Sequence, residues 1–104
     1  MNTARLVKSD EQTFTVDGDV ALATVPSLLA QSRELWTDGA DRVVDMSRVR
    51  RIDSSSLALM LEWARAARAA GGSVHFRNVP RQVMAVARLC GVEALLPLES
   101  PVAP

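Results

Sequence analysis

The stretch RVVDMSRVRRIDSSSLALMLEWARAARAAGG, residues Arg42–Gly72, runs from a β-branched segment through a basic connection to three serines behind an aspartate, then into a helical apolar pattern closed by two glycines. Asp41–Met46 has the short β-branched run of a covered strand, and Ser47–Asp53 carries the chain onward from its end. The first turn of any helix has backbone N–H groups without intrahelical partners, and Asp53 or Ser54 can accept from them. Leu57, Met60, Leu61 and Ala64 then repeat at three-and-four spacing, which predicts an amphipathic helix ending at Gly71-Gly72. A strand feeding a helix in this way is one unit of a layered α/β domain.

Outward from this unit the alternation continues. Phe14 and Val16 alternate with polar neighbours and meet Asp17-Gly18, which predicts a strand closing in a turn. Thr24 as N-cap, Pro26 in the first turn and an apolar face of Val25, Leu28, Leu29, Ser32, Leu35 and Trp36 predict a helix stopped by Gly39. Val74 and Phe76 lie on one face of a strand, with His75 and Arg77 on the other; Pro80 then opens a helix carrying Val83, Met84, Val86, Ala87 and Cys90. The expectation is a single α/β domain with helices packed on a small, mixed, partly parallel sheet. No linker divides the chain, and only the tail from Glu99 to Pro104 reads as disordered.

Several function classes lack supporting residues. The 104 residues suffice for one core, and 12 basic residues balance 12 acidic ones, so bulk charge gives no sign of a nucleic-acid partner. Met1–Gln12 lacks the apolar centre of a signal peptide and no apolar run approaches the ~20 residues of a membrane span, so the expectation is a cytoplasmic protein without direct membrane insertion. Cys90, the single cysteine, falls in an apolar pattern and is expected to pack inside. No phosphate loop, dinucleotide fingerprint or metal-spaced Cys/His cluster occurs, so no cofactor and no metal are expected. His75, the one histidine, is the sole candidate base for a nucleophilic Ser54 or Ser55, and no strained elbow motif presents either serine; no catalytic residue is assigned.

The serines then have two readings. They cap the helix, contributing about 1 kcal/mol, or they form a platform for a partner or a phosphate at the positive end of the helix dipole. At about 100° per residue, Ser55, Leu59 and Glu62 point away from the Leu57–Met60 stripe, with Trp63 at the edge. Trp63 either folds over the core rim or joins Leu59 as an exposed anchor beside the serines. Between Arg42 and Arg88, nine basic residues stand against three acidic ones, and Arg50 and Arg51 would give the platform a basic rim suited to an acidic partner surface.

The ordered blocks FTVDGDVALATVPSLL, RVVDMSRV, RIDSSSLALML, RAAGGSVHFRNVP and QVMAVARLCGVEALLPL resemble the STAS domain across residues 12–98. That resemblance implies a STAS domain over residues 1–98. In the anti-sigma-factor antagonist branch the helix start reads D-S-[ST]-G, and the phosphorylated hydroxyl corresponds to Ser55, its partner being a serine kinase that is also the anti-sigma factor. In the MlaB branch, the small cytoplasmic subunits of Mla phospholipid ABC transporters, the motif reads D-[TS]-x-G-L-A-L-L-L, and DSSSLALML is closer to it. The resemblance implies a non-catalytic subunit that binds and regulates or stabilises the transporter's ATPase, at the cytoplasmic face of the inner membrane. It places the partner surface on Asp53, Ser54, Ser55 and Ser56, extended by Leu59, Glu62 and Trp63; proximity in the chain, not the resemblance, adds Arg50 and Arg51. Ser56 stands where both branches have glycine.

Overall fold

A computed structural model describes residues 3–99. Strands β1 (Ala4–Lys8), β2 (Thr13–Val20), β3 (Asp41–Ile52) and β4 (Ser73–Arg77) form one sheet in that order, β1 antiparallel to β2 and the other neighbours parallel. Helix α1 (Val25–Leu35) joins β2 to β3, α2 (Ser55–Ala69) joins β3 to β4, and α3 (Arg81–Leu89) follows β4, with a 3₁₀ turn at Glu93–Leu95. This is the mixed, partly parallel α/β sheet expected from the alternation of elements.

The structure corrects several sequence expectations. Asp17-Gly18 is not a turn: β2 runs on to Val20, and two register shifts against β3 absorb the irregularity. Gly18 pairs with Ala4 at φ 121°, where a Cβ would collide with the Thr3 carbonyl, so this glycine admits β1 and is not a hairpin residue. Likewise β3 does not end at Met46, because the polar segment Ser47–Ile52 completes its backbone bonding beside Asp17–Val20. Gly39 lies beyond the end of α1, which stops at Leu35 with Trp36 as its cap; Leu35, assigned to the buried face, is exposed. A Cβ on Gly39 would strike the Ala70 carbonyl, and one on Gly72 the Gly39 and Ala40 carbonyls. The two glycines therefore let two loop backbones touch. Finally, Cys90 is exposed at the end of α3, since Val83 and Ala87 take that helix's buried face.

Inward-facing Leu6, Phe14, Val16, Val20, Val44, Met46, Val74 and Phe76 are buried, whereas Arg5, Val7 and His75 on the opposite face are exposed. The helices thus cover one side of the sheet. Helix α2 is central: α1 lies on one flank, α3 on the other, and β3 and β4 beneath. Its buried arc therefore extends beyond the predicted stripe to Ser56, Leu57, Leu59, Met60, Trp63, Ala64 and Ala67. Leu59, a candidate outward anchor, and Trp63, read either as a rim residue or as an anchor beside it, are only 1% and 2% exposed. Trp63 lies between Trp36 and Phe76, with ring centroids 5.3 and 6.4 Å away.

Pro97–Glu99 runs beside β4. Phe76 N–H donates to the Pro97 carbonyl, Glu99 N–H donates to the Phe76 carbonyl, both at 2.9 Å, and Arg77 pairs with the Glu99 carboxylate at 2.7 Å. Glu99, assigned above to the tail, is held against the sheet; residues 100–104 lie outside the described residues.

Candidate functional site

The start of α2 is organised by Asp53. Its Oδ1 accepts from Ser55 N–H at 2.8 Å and from the Ser55 hydroxyl, while Oδ2 accepts from Leu22 N–H at 3.2 Å. Its own N–H donates to the Val20 carbonyl at 3.1 Å, so one residue ties the helix to the end of β2 and to the turn before α1. The carboxylate is held below its usual range by the Ser55 hydroxyl first, then by Ser55 N–H and Leu22 N–H.

The three serines have three different fates. Ser56 is 1% exposed and donates its hydroxyl to the Asp53 carbonyl at 2.7 Å, so its hydroxyl is spent on locking the first turn. Ser55 is half-buried with its hydroxyl directed to Asp53. Ser54 occupies the N-cap position but makes no capping bond, and it is exposed. Capping at this end thus falls to Asp53, leaving the Ser54 hydroxyl outward.

The structure brings Asp53, Ser54 and Ser55 together at the surface, next in chain to Arg50 and Arg51. Arg50 is turned toward Asp19 at 4.0 Å, and Arg48 toward Asp17 at the same distance, so part of the basic rim is already neutralised. Glu62 lies two helical turns from Ser54, about 12 Å along the axis, half-exposed and paired with Arg65 at 2.7 Å. Leu59, Trp63 and Ser56 are not part of this surface.

The sequence reading missed two contributors. Leu22 is 77% exposed and bonded through its N–H to Asp53; its signal was a lone leucine in a turn between a strand and a helix cap. On the other side, a groove of about 210 Å³ between α2 and α3 is lined by Ile52, Ser54, Leu57, Gln82, Val83 and Val86.

His75 is exposed and pairs with Val43, nine residues before Ile52 at the far end of β3, which is about 30 Å of extended strand. It cannot serve as a base for Ser54 or Ser55. A carboxylate whose proton affinity is lowered, as at Asp53, is also a weak base for the serine it touches. Among the described residues no group of three or more His, Cys, Asp or Glu is placed to hold a metal ion, and no helix is long and apolar enough to cross a membrane. The arrangement is suited to contact: an outward hydroxyl, an exposed leucine and a helix N-terminus.

No curated protein matches the chain. Among solved structures it is similar to that of the anti-sigma factor antagonist SpoIIAA in its unphosphorylated form, with a TM-score of 0.64 and 18% identity over 93% of this chain and 88% of that one. At that identity the likeness establishes a shared fold. The sequence profile of the family described as "Mlab, STAS domain" matches residues 5–97, nearly the whole of the described chain. The chain belongs to the MlaB-like STAS domain family.

Proposed function

We propose that this protein is a non-catalytic STAS subunit that binds the ATPase subunit of an Mla-type phospholipid ABC transporter and regulates or stabilises it. Through that partner it would sit at the cytoplasmic face of the inner membrane. The observation that carries the reading is the exposed Ser54 hydroxyl at the start of α2, set between Leu22 and the α2/α3 groove in a chain of the MlaB-like family. Asp53, Ser54, Ser55, Glu62, Arg50 and Arg51 form the contact surface with Leu22 added, while Ser56, Leu59 and Trp63 support it from inside.

Co-expression with the ATPase subunit should yield a stoichiometric complex. Ser54→Arg should abolish it without altering the melting temperature, because the exposed hydroxyl makes no cap bond. Failure of the wild-type protein to form the complex would reject the reading.

The second reading, an antagonist switched by phosphorylation, has one observation in its favour. Ser55 is half-exposed at the first helical position, where a phosphate would meet the favourable end of the dipole but also the Asp53 carboxylate. Intact-mass analysis with a cognate anti-sigma kinase separates the two, since a stoichiometric adduct on Ser55 would favour the antagonist.

A further inference from the structure

We infer that the groove between α2 and α3 is the second half of the docking surface, and that it takes an acidic segment of the partner carrying one large apolar side chain. The inference rests on the ATPase-binding reading above and adds α3, which neither the motif nor the family resemblance marks as a contact element.

The floor is apolar, formed by Leu57 from α2 and by Val83 and Val86 from α3, with Ile52 closing one end. Along α3, Gln82, Val86 and Leu89 fall on one flank at i, i+4 and i+7. Gln82 and Val86 line the groove, and Leu89 extends their flank outward, 87% exposed. An exposed leucine prolonging an apolar depression is characteristic of a surface covered by another chain.

Charge identifies what covers it. Arg51 and Arg81 immediately precede the groove residues Ile52 and Gln82, both are exposed, and among the described residues neither has a carboxylate within 4.0 Å. The one acid lining the groove, Asp53, already accepts three internal hydrogen bonds. The N-terminal ends of α2 and α3 both lie at the groove, Ser54 and Gln82 being among its lining residues, and their dipoles add positive potential there. Carboxylates flanking an apolar side chain complement this pattern, whereas a basic or neutral segment leaves both arginines unanswered.

The test measures binding of the purified Mla-type ATPase subunit to four variants, Ser54→Arg among them, across a salt series, with hydrogen–deuterium exchange on the wild-type complex. Arg51→Glu/Arg81→Glu should weaken binding by about tenfold or more at low salt and flatten its salt dependence. Val86→Glu should weaken it by about tenfold or more at every salt concentration, and Arg88→Gln, exposed and about 160° around α3 from Val86, should bind as wild type. Complex formation should protect Gln82–Leu89 from exchange. If Ser54→Arg abolishes the complex while the double charge reversal binds normally and α3 gains no protection, the groove is not used, and the proposed function stands without it. If the wild-type chain does not bind the ATPase, both fall. Arg51 and Arg81 are surface residues, so their reversal stays interpretable even if Val86→Glu proves unstable by thermal melting.

Discussion

The indole N–H of Trp63 donates to the hydroxyl of Ser32 at 2.9 Å, and Ser32 in turn donates to the Leu29 carbonyl at 2.7 Å. This buried chain joins α2 to α1 across the top of the core. It accounts for the polar Ser32 on an otherwise apolar helix face, and it makes Trp63 an internal strut.

Trp63→Ala should therefore destabilise the fold by about 3–5 kcal/mol, the cost of an aromatic cavity, as read from denaturant melts. Trp63→Phe, which keeps one aromatic ring but removes the donor and leaves a smaller cavity, should cost about 2–3 kcal/mol. Partner binding lost in Trp63→Ala should return in Trp63→Phe, the pattern of a folding defect and not of a lost contact.

The serines should separate by position. A Ser54→Ala change should leave stability within about 0.5 kcal/mol, although a functioning N-cap would cost about 1 kcal/mol, because the Ser54 side chain caps nothing. Ser56→Gly should cost about 1–2 kcal/mol through the lost hydroxyl bond and the backbone freedom gained within a helix. The change removes only a buried hydroxyl and leaves the outward Ser54 in place, so the complex should survive. Ser56→Ala, read beside it, isolates the hydroxyl's share.

Asp53 sets a pH dependence with a definite sign. Its folded-state pKa lies below the unfolded value, about 3.9 for an aspartate, so its stabilisation is fully present above that value. It is lost as pH falls through the lowered folded-state pKa. Asp53→Asn should be less stable than wild type above about pH 5, and the gap should narrow on acidification. In the wild type, the Asp53 carboxyl should titrate below ordinary aspartates by NMR, with amide exchange at Leu22 and Ser55 quickening over the same interval.

Gly72→Ala should be among the most damaging single-methyl changes in the chain. Its Cβ would meet the backbone carbonyls of Gly39 and Ala40, and backbone cannot swing aside as a flexible side chain does. A loss of about 2 kcal/mol or more is expected in urea melts, while Gly71→Ala, where no atom lies within 4 Å but φ is 88°, should cost about 1–2 kcal/mol from strain alone.

Local pattern was sufficient for α1, α2, α3, β4 and the first half of β3, because each carries an apolar periodicity matching its own geometry. Order and spacing of the blocks carried the family likeness. The edge strand β1 and the polar half of β3 were not legible: β1 is too short and mixed to show a period and becomes strand only by pairing with the neighbouring β2, while Ser47–Ile52 does so through a ladder with Asp17–Val20, far away in the chain. At the site, the Asp53–Ser55 cluster could be read from the motif, but which serine stays outside could not. That depends on α2 lying between two other helices: enclosure on both flanks widens its buried arc, seals Ser56, Leu59 and Trp63, and leaves Ser54 outward. Leu22 and the α3 wall join the surface only through packing, because contact between segments so far apart in sequence exists only once the core that holds them has formed.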